Sequence, residues 1–199
     1  MGADNTVASA ARVSFDKKAE EYTDEQNEKL IKYLAKHKHY SPFGHCFASF
    51  HVKAPVFVRA QLVKHEYLRM NEISRRYVDT PPEFYVPKVW RGRPVDKKQG
   101  SSGEALWSDS SLYQSLLKSS TNVYEDMITA GVAPEQARMV LPQSMYTEWY
   151  WSGSLDAFAN MYNLRAKPDA QEETRFIAEE IGHYLDYAFP ISWKELTNE

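Results

Sequence analysis

The chain has 199 residues, a formal net charge of −3 and a sequence pI near 6.1, a length that suits one domain able to bury a core and an acidic balance that argues against a protein coating nucleic acid. Hydrophobic residues at 43% and charged residues at 26% are ordinary globular values. A single cysteine, Cys46, excludes a disulfide framework or a multi-cysteine zinc site within one chain, and the six histidines lack zinc spacing. No apolar run approaches the roughly 20 residues that span a membrane, and the N-terminus lacks the basic and apolar stretches of a secretory signal, so a reducing, cytoplasmic location is expected.

The first amphipathic pattern runs from Asp24 to Lys38, a predicted helix with Leu30, Tyr33 and Leu34 on one face. Ser41 to His45 is a turn cluster. Cys46 to Lys53 then alternates, with Cys46, Ala48, Phe50 and Val52 on one side of a half-buried strand. His45 and Cys46 are adjacent, so on a strand they face opposite ways, and Cys46 reads as a small core residue rather than a nucleophile. Pro55 suits the first turn of a helix continuing to about Leu68, and Asn71 to Tyr77 reads as a loop or short extended piece.

Residues 88 to 107, rich in glycine and charge, are predicted to be a surface loop, serving as a connector or as a mobile lid. A helix follows from about Ser108 to Ala130, ended by Gly131. Pro134 opens another that stops at Pro142. Gln143 to Trp151 is a predicted strand, and two helices cover about Leu155–Leu164 and Asp169–Ala188, the second with Asp169 and Glu172 as a capping signal. The mixture predicts a single α+β domain over 1–199, with a mainly antiparallel sheet flanked by helices, rather than alternating βαβ units.

Neither G-x-G-x-x-G nor G-x-x-x-x-G-K-[ST] occurs, so any nucleotide is bound without a Rossmann turn or P-loop. The informative segment is Gln61 to Tyr77. If the helix reaches Leu68, then Gln61, Lys64, His65 and Leu68 share one face, followed on non-helical chain by Asn71, Glu72, Ser74, Arg75 and Arg76. Arginine forks bind phosphate oxygens well, and Glu72 can accept hydrogen bonds from a ribose hydroxyl or a ring N–H. On composition alone a solvated charged face accounts for the segment at least as well. Arg138 and Arg165 stand in otherwise apolar surroundings, a setting equally open to surface or carboxylate-paired arginines.

These residues resemble the flavin-dependent thymidylate synthases. Asn71-Glu72-Ile73-Ser74-Arg75-Arg76-Tyr77 is similar to the family's Asn-Glu-x-Ser-x-Arg-Tyr, and Lys64-His65-Glu66 stands where Arg-His-Arg is expected. Further similar blocks lie in order at Ala10–Ser14, Ser41–His45, Phe50–Pro55, Glu83–Tyr85, Ala137–Pro142 and Asn163–Ala166.

The resemblance implies conversion of dUMP to dTMP with FAD, NADPH as reductant and methylenetetrahydrofolate as one-carbon donor. It also implies a homotetramer with shared active sites. It assigns Arg165 the catalytic place beside the pyrimidine. Gln61, Lys64, Glu72, Ser74, Arg75, Arg76, Arg138 and Arg165 fall to dUMP, and Lys64, His65, Glu66, Glu72 and Asn160 to FAD. The altered Arg-His-Arg triplet leaves two alternatives: a related flavin- and folate-dependent enzyme acting on a pyrimidine nucleotide, for example by hydroxymethylation, and a non-catalytic nucleotide-binding relative.

Overall fold

A computed structural model describes residues 1–95, 100–105, 107 and 109–197. In chain order the elements are α1 (Asp4–Arg12), α2 (Asp24–Lys36), β1 (Phe47–Pro55), α3 (Val56–Leu62), β2 (Leu68–Glu72), β3 (Arg91–Gly92), β4 (Ser102–Glu104), α4 (Ser110–Thr129), α5 (Pro134–Ala137), β5 (Tyr146–Ser154), α6 (Leu155–Arg165), α7 (Glu172–Ala188) and α8 (Pro190–Thr197). The main sheet has the order β1-β5-β2.

Its strands are antiparallel. Ser49 meets Ser152 through their hydroxyls at 2.7 Å, and the Val56 amide donates to the Met145 carbonyl at 3.0 Å, so residue numbers run in opposite directions along β1 and β5. Likewise Gly153 sits against Leu68, while the Ile73 amide donates to the Glu148 carbonyl at 2.9 Å. The fold is therefore α+β, with an antiparallel sheet and helices. No helix among the described residues is long and apolar enough to cross a membrane.

The chain divides into two compact units. One comprises Met1–Phe50, Leu62–Met70 and Trp151–Glu199. Its core is built around α6, whose Leu155, Ala157, Phe158, Ala159 and Met161 are all buried, a face wider than a single stripe, while Asn160 and Leu164 on the other side are exposed. Phe158 meets Phe50 and Trp151 edge-on, with ring centroids 5.2 and 5.6 Å apart. On α7, Gly182 lets Tyr162 approach: a Cβ there would fall 2.4 Å from the ring. The α2 N-terminus carries a capping box, Thr23 accepting from the Gln26 amide and Gln26 from the Thr23 amide. Asp4 accepts from the Ile191 and Ser192 amides at 3.0 and 2.8 Å, satisfying first-turn donors of α8.

The other unit comprises His51–Gln61 and Asn71–Tyr150. Val52, Ala54, Val58, Leu117, Tyr124, Ala137 and Trp149 form its buried core. The Ser120 hydroxyl on α4 donates to the Val140 carbonyl at 2.7 Å, tying that helix to the short 3-10 turn Arg138–Val140.

Most predicted elements are present, with informative differences. On α2 the buried residues are Asn27, Ile31 and Leu34, and Tyr33 is 54% exposed beside His37, so the packed face is rotated from the expected one. The helix expected to reach Leu68 stops at Leu62. Tyr67 adopts φ 63, and Leu68–Glu72 pairs as a strand because the β5 edge offers its backbone partners and Gly153 makes room for Leu68. Tertiary pairing thus overrides a locally helical sequence.

Within the stretch expected to be a surface loop, Arg91–Gly92 pairs antiparallel with Ser102–Glu104, and Trp90 packs edge-on against Trp107 and Tyr113 at 4.7 and 5.1 Å. Residues 96–99 and 106 of that reading lie outside the described residues. The α7 helix starts at Glu172 after Gln171, which makes no side-chain cap bond, so Asp169 is not the cap.

Candidate active site

In the unit holding Asn71–Tyr150, a cavity of about 480 Å³ is lined by Arg59, Glu72, Ser74, Arg75, Arg76, Arg138 and Thr147, among others. Five elements supply these side chains, Thr147 coming from β5. Arg59 comes from α3, Glu72 from the end of β2, Ser74 to Arg76 from the turn beyond it, and Arg138 from the 3-10 turn after α5. Four guanidinium groups and one carboxylate give the pocket a strongly positive balance. The cations donate to uncharged acceptors: Arg75 to the Thr80 carbonyl, Arg76 through Nε to Ser74 Oγ at 3.5 Å, and Arg138 to the Glu135 carbonyl at 3.3 Å. Arg59 differs. Its Nη2 lies 2.7 Å from Glu72 Oε2, while the Thr147 hydroxyl donates to Glu72 Oε1 at 2.8 Å.

In the other unit, Arg165 ends α6 and its Nε donates to His65 Nε2 at 2.9 Å. His65 is pushed down to about 4, mainly by burial and secondarily by the Arg165 guanidinium. The ring is therefore neutral near pH 7, with Nε2 the acceptor and the proton on Nδ1. The folded value lies below the ordinary 6.5, so unfolding takes up a proton between the two. Stability from this site is complete above about 6.5 and falls as pH drops through that window toward about 4. Urea unfolding midpoints across the window should decline more steeply for the native protein than for His65→Gln. Equal slopes would remove this role.

A second cavity, of about 620 Å³, is lined in this unit by Lys36, Lys38, Asp156, Asn160, Asn163 and Lys167, among others. Asp156 Oδ1 is buried there without a hydrogen-bond partner. Cys46 is buried, its Sγ 3.6 Å from the Ala3 carbonyl oxygen, and burial pushes its thiol up to about 11. A thiol so protonated and enclosed is a poor nucleophile.

Residues 1–191 match the family described as thymidylate synthase complementing protein. The chain belongs to the flavin-dependent thymidylate synthase family. It is 38% identical over 194 residues to the flavin-dependent thymidylate synthase of Thermus thermophilus, covering 97% of this chain and 71% of that protein. With the enzyme of Thermosipho africanus it shares 40% over 194 residues, covering 96% and 84%. A crystal structure of a UMP/dUMP methylase, PolB from Streptomyces cacaoi bound with 5-Br dUMP, superposes with a TM-score of 0.88 at 28% identity, covering 98% of this chain and 91% of that one.

Against the family resemblance, the fold brings Glu72, Ser74, Arg75, Arg76 and Arg138 to one cavity and joins His65 to Arg165. It does not form the helical face of Gln61, Lys64 and His65. Gln61 is half-buried on α3, outside the lining of either cavity, while Lys64 and Glu66 are exposed in the turn before β2. Asn160 lines the lysine-rich cavity. Sequence reasoning missed Arg59 and Thr147. The signal for Arg59 was a cation inside Val56-Phe57-Val58-Arg59, an apolar stretch where an arginine needs a partner.

Proposed function

We propose that the protein methylates dUMP to dTMP, using methylenetetrahydrofolate as one-carbon donor, NADPH as reductant and FAD. The observation that carries this reading is the convergence of Ser74, Arg75, Arg76 and Arg138 on one cavity, in a chain whose only cysteine is buried and protonated. Guanidinium forks and a hydroxyl suit a 5′-phosphate, each charge-assisted bond contributing about 1.5–3 kcal/mol. Glu72 accepts from a ribose hydroxyl or the ring N–H, and Gln61 and Lys64 belong to the same nucleotide-holding set.

Arg165 faces the pyrimidine and stabilises negative charge as N3 loses its proton, which raises the nucleophilicity of C5. His65 holds the Arg165 guanidinium through Nε.

The residues present fit FAD. Lys36, Lys38 and Lys167 suit its diphosphate, and the orphaned Asp156 Oδ1 together with Asn160 and Asn163 suits a ligand bearing N–H and O–H donors. The family resemblance adds His65, Lys64, Glu66 and Glu72 as flavin contacts. Bound there, FAD would take electrons from NADPH and pass them and the one-carbon unit to the nucleotide, so no protein nucleophile would be required. A homotetramer with shared active sites would draw these groups from more than one copy, and the same reading places the enzyme in the cytoplasm.

A second reading, use of UMP as well, is favoured by the similarity to a UMP/dUMP methylase. Product analysis with dUMP and UMP in parallel separates the two: dTMP formation from dUMP supports the proposal, and turnover of UMP alone contradicts it.

A further inference from the structure

Glu72 presents a problem within its own cavity. A carboxylate placed among Arg75, Arg76 and Arg138 is itself an anion, and left mobile it would pair with one of them and compete with any phosphate. The geometry prevents this. Arg59 Nη2 holds Oε2 at 2.7 Å, and Thr147, only 4% exposed, holds Oε1 at 2.8 Å from the other side. The Arg59 and Glu72 side chains are 31% and 27% exposed, so their pairing is sheltered enough to persist. Arg59 Nε is buried with no partner of its own, which leaves the Glu72 carboxylate as the anchor of that guanidinium.

We propose that Arg59 is a positioning residue: by clamping Glu72 with Thr147, it keeps the carboxylate off Arg75, Arg76 and Arg138 and so preserves their cationic face for the nucleotide phosphate. The inference rests on the reading of this cavity as the nucleotide site. The Arg59–Glu72 pair is neutral as a unit, and three guanidinium groups remain for a phosphate dianion. Without Arg59, Glu72 is held by a single hydroxyl and swings to one of those three. The pocket then loses both net charge and a donor.

Calorimetric titration of inorganic phosphate and of dUMP into the full-length protein tests this through a double-mutant cycle of Arg59→Gln and Glu72→Gln. Arg59→Gln should weaken phosphate binding about 10-fold, and adding Glu72→Gln should restore most of that loss, whereas Glu72→Gln alone should change phosphate affinity less than about 3-fold. A brace with no electrostatic role would show no such rescue. If the double variant binds phosphate no better than Arg59→Gln, or if Arg59→Gln binds phosphate normally, the inference is wrong while the nucleotide site stands. If the native protein binds neither dUMP nor phosphate, the nucleotide reading itself fails. Should Arg59→Gln not fold, Arg59→Lys keeps the charge and should bind phosphate within about 3-fold of native; a loss as large as 10-fold would overturn the clamp.

Discussion

Arg165→Ala is expected to lower turnover of dUMP by about 10²–10³-fold, the usual consequence of removing one donor aimed at developing negative charge. Arg165 is half-buried at the last position of α6, and its Nε is committed to His65, so the plane of the guanidinium is fixed before substrate arrives. A preoriented cation of this kind needs no reorganisation as charge develops on the pyrimidine, which is where its benefit lies. Arg165→Lys keeps the charge but loses the planar fork and the bond to His65, so it should recover little of the rate. Circular dichroism and the urea midpoint should stay near native, because the side chain ends a helix whose core contacts lie in earlier turns. Turnover near the native value in Arg165→Ala would remove its assigned role.

The second large effect is on stability. Phe158→Ala should destabilise the protein by about 3–5 kcal/mol, as large-to-small changes at fully buried aromatic positions do. Phe158 is 0% exposed and meets two other rings edge-on, Phe50 from β1 and Trp151 from β5. Removing it leaves a cavity under the helix that also carries Asn160 and Arg165. At this chain length the melting temperature should fall on the order of 10 °C. A loss below about 1 kcal/mol would mean that the surrounding rings collapse into the space.

Alternation made β1 and β5 legible, because a strand with one buried face writes period two into its sequence: Val52 and Ala54 are buried between exposed His51 and Lys53, as the pattern requires. Glycine and proline marked the ends of α4 and the start of α5 for equally local reasons. The segment from Val63 to Leu68 misled because nothing in its local sequence opposes a helix; the chain instead turns over Val63–Tyr67 into a strand, Leu68–Glu72, that exists only through pairing with β5, a partner distant in sequence. The helices α1 and α8 escaped notice for a related reason. Each is short, and Asp4 supports the first turn of α8 from 187 residues away.

The site divides along the same line. Ser74, Arg75 and Arg76 follow one another, so their joint arrival in a cavity could be anticipated from their motif, and Arg138 joined them through the family resemblance. The contact of His65 with Arg165 spans 100 residues and leaves no trace in spacing. Arg59 gains its meaning only from Glu72, which the fold brings beside it.

The most direct measurement is release of tritium from C5-labelled dUMP by the purified protein with FAD, NADPH and methylenetetrahydrofolate. Thymidylate synthesis must replace the C5 hydrogen, so tritium should appear in water in step with dTMP, and Arg165→Ala should suppress both. Flavin reduction by NADPH with dUMP bound but no tritium released would contradict the assignment.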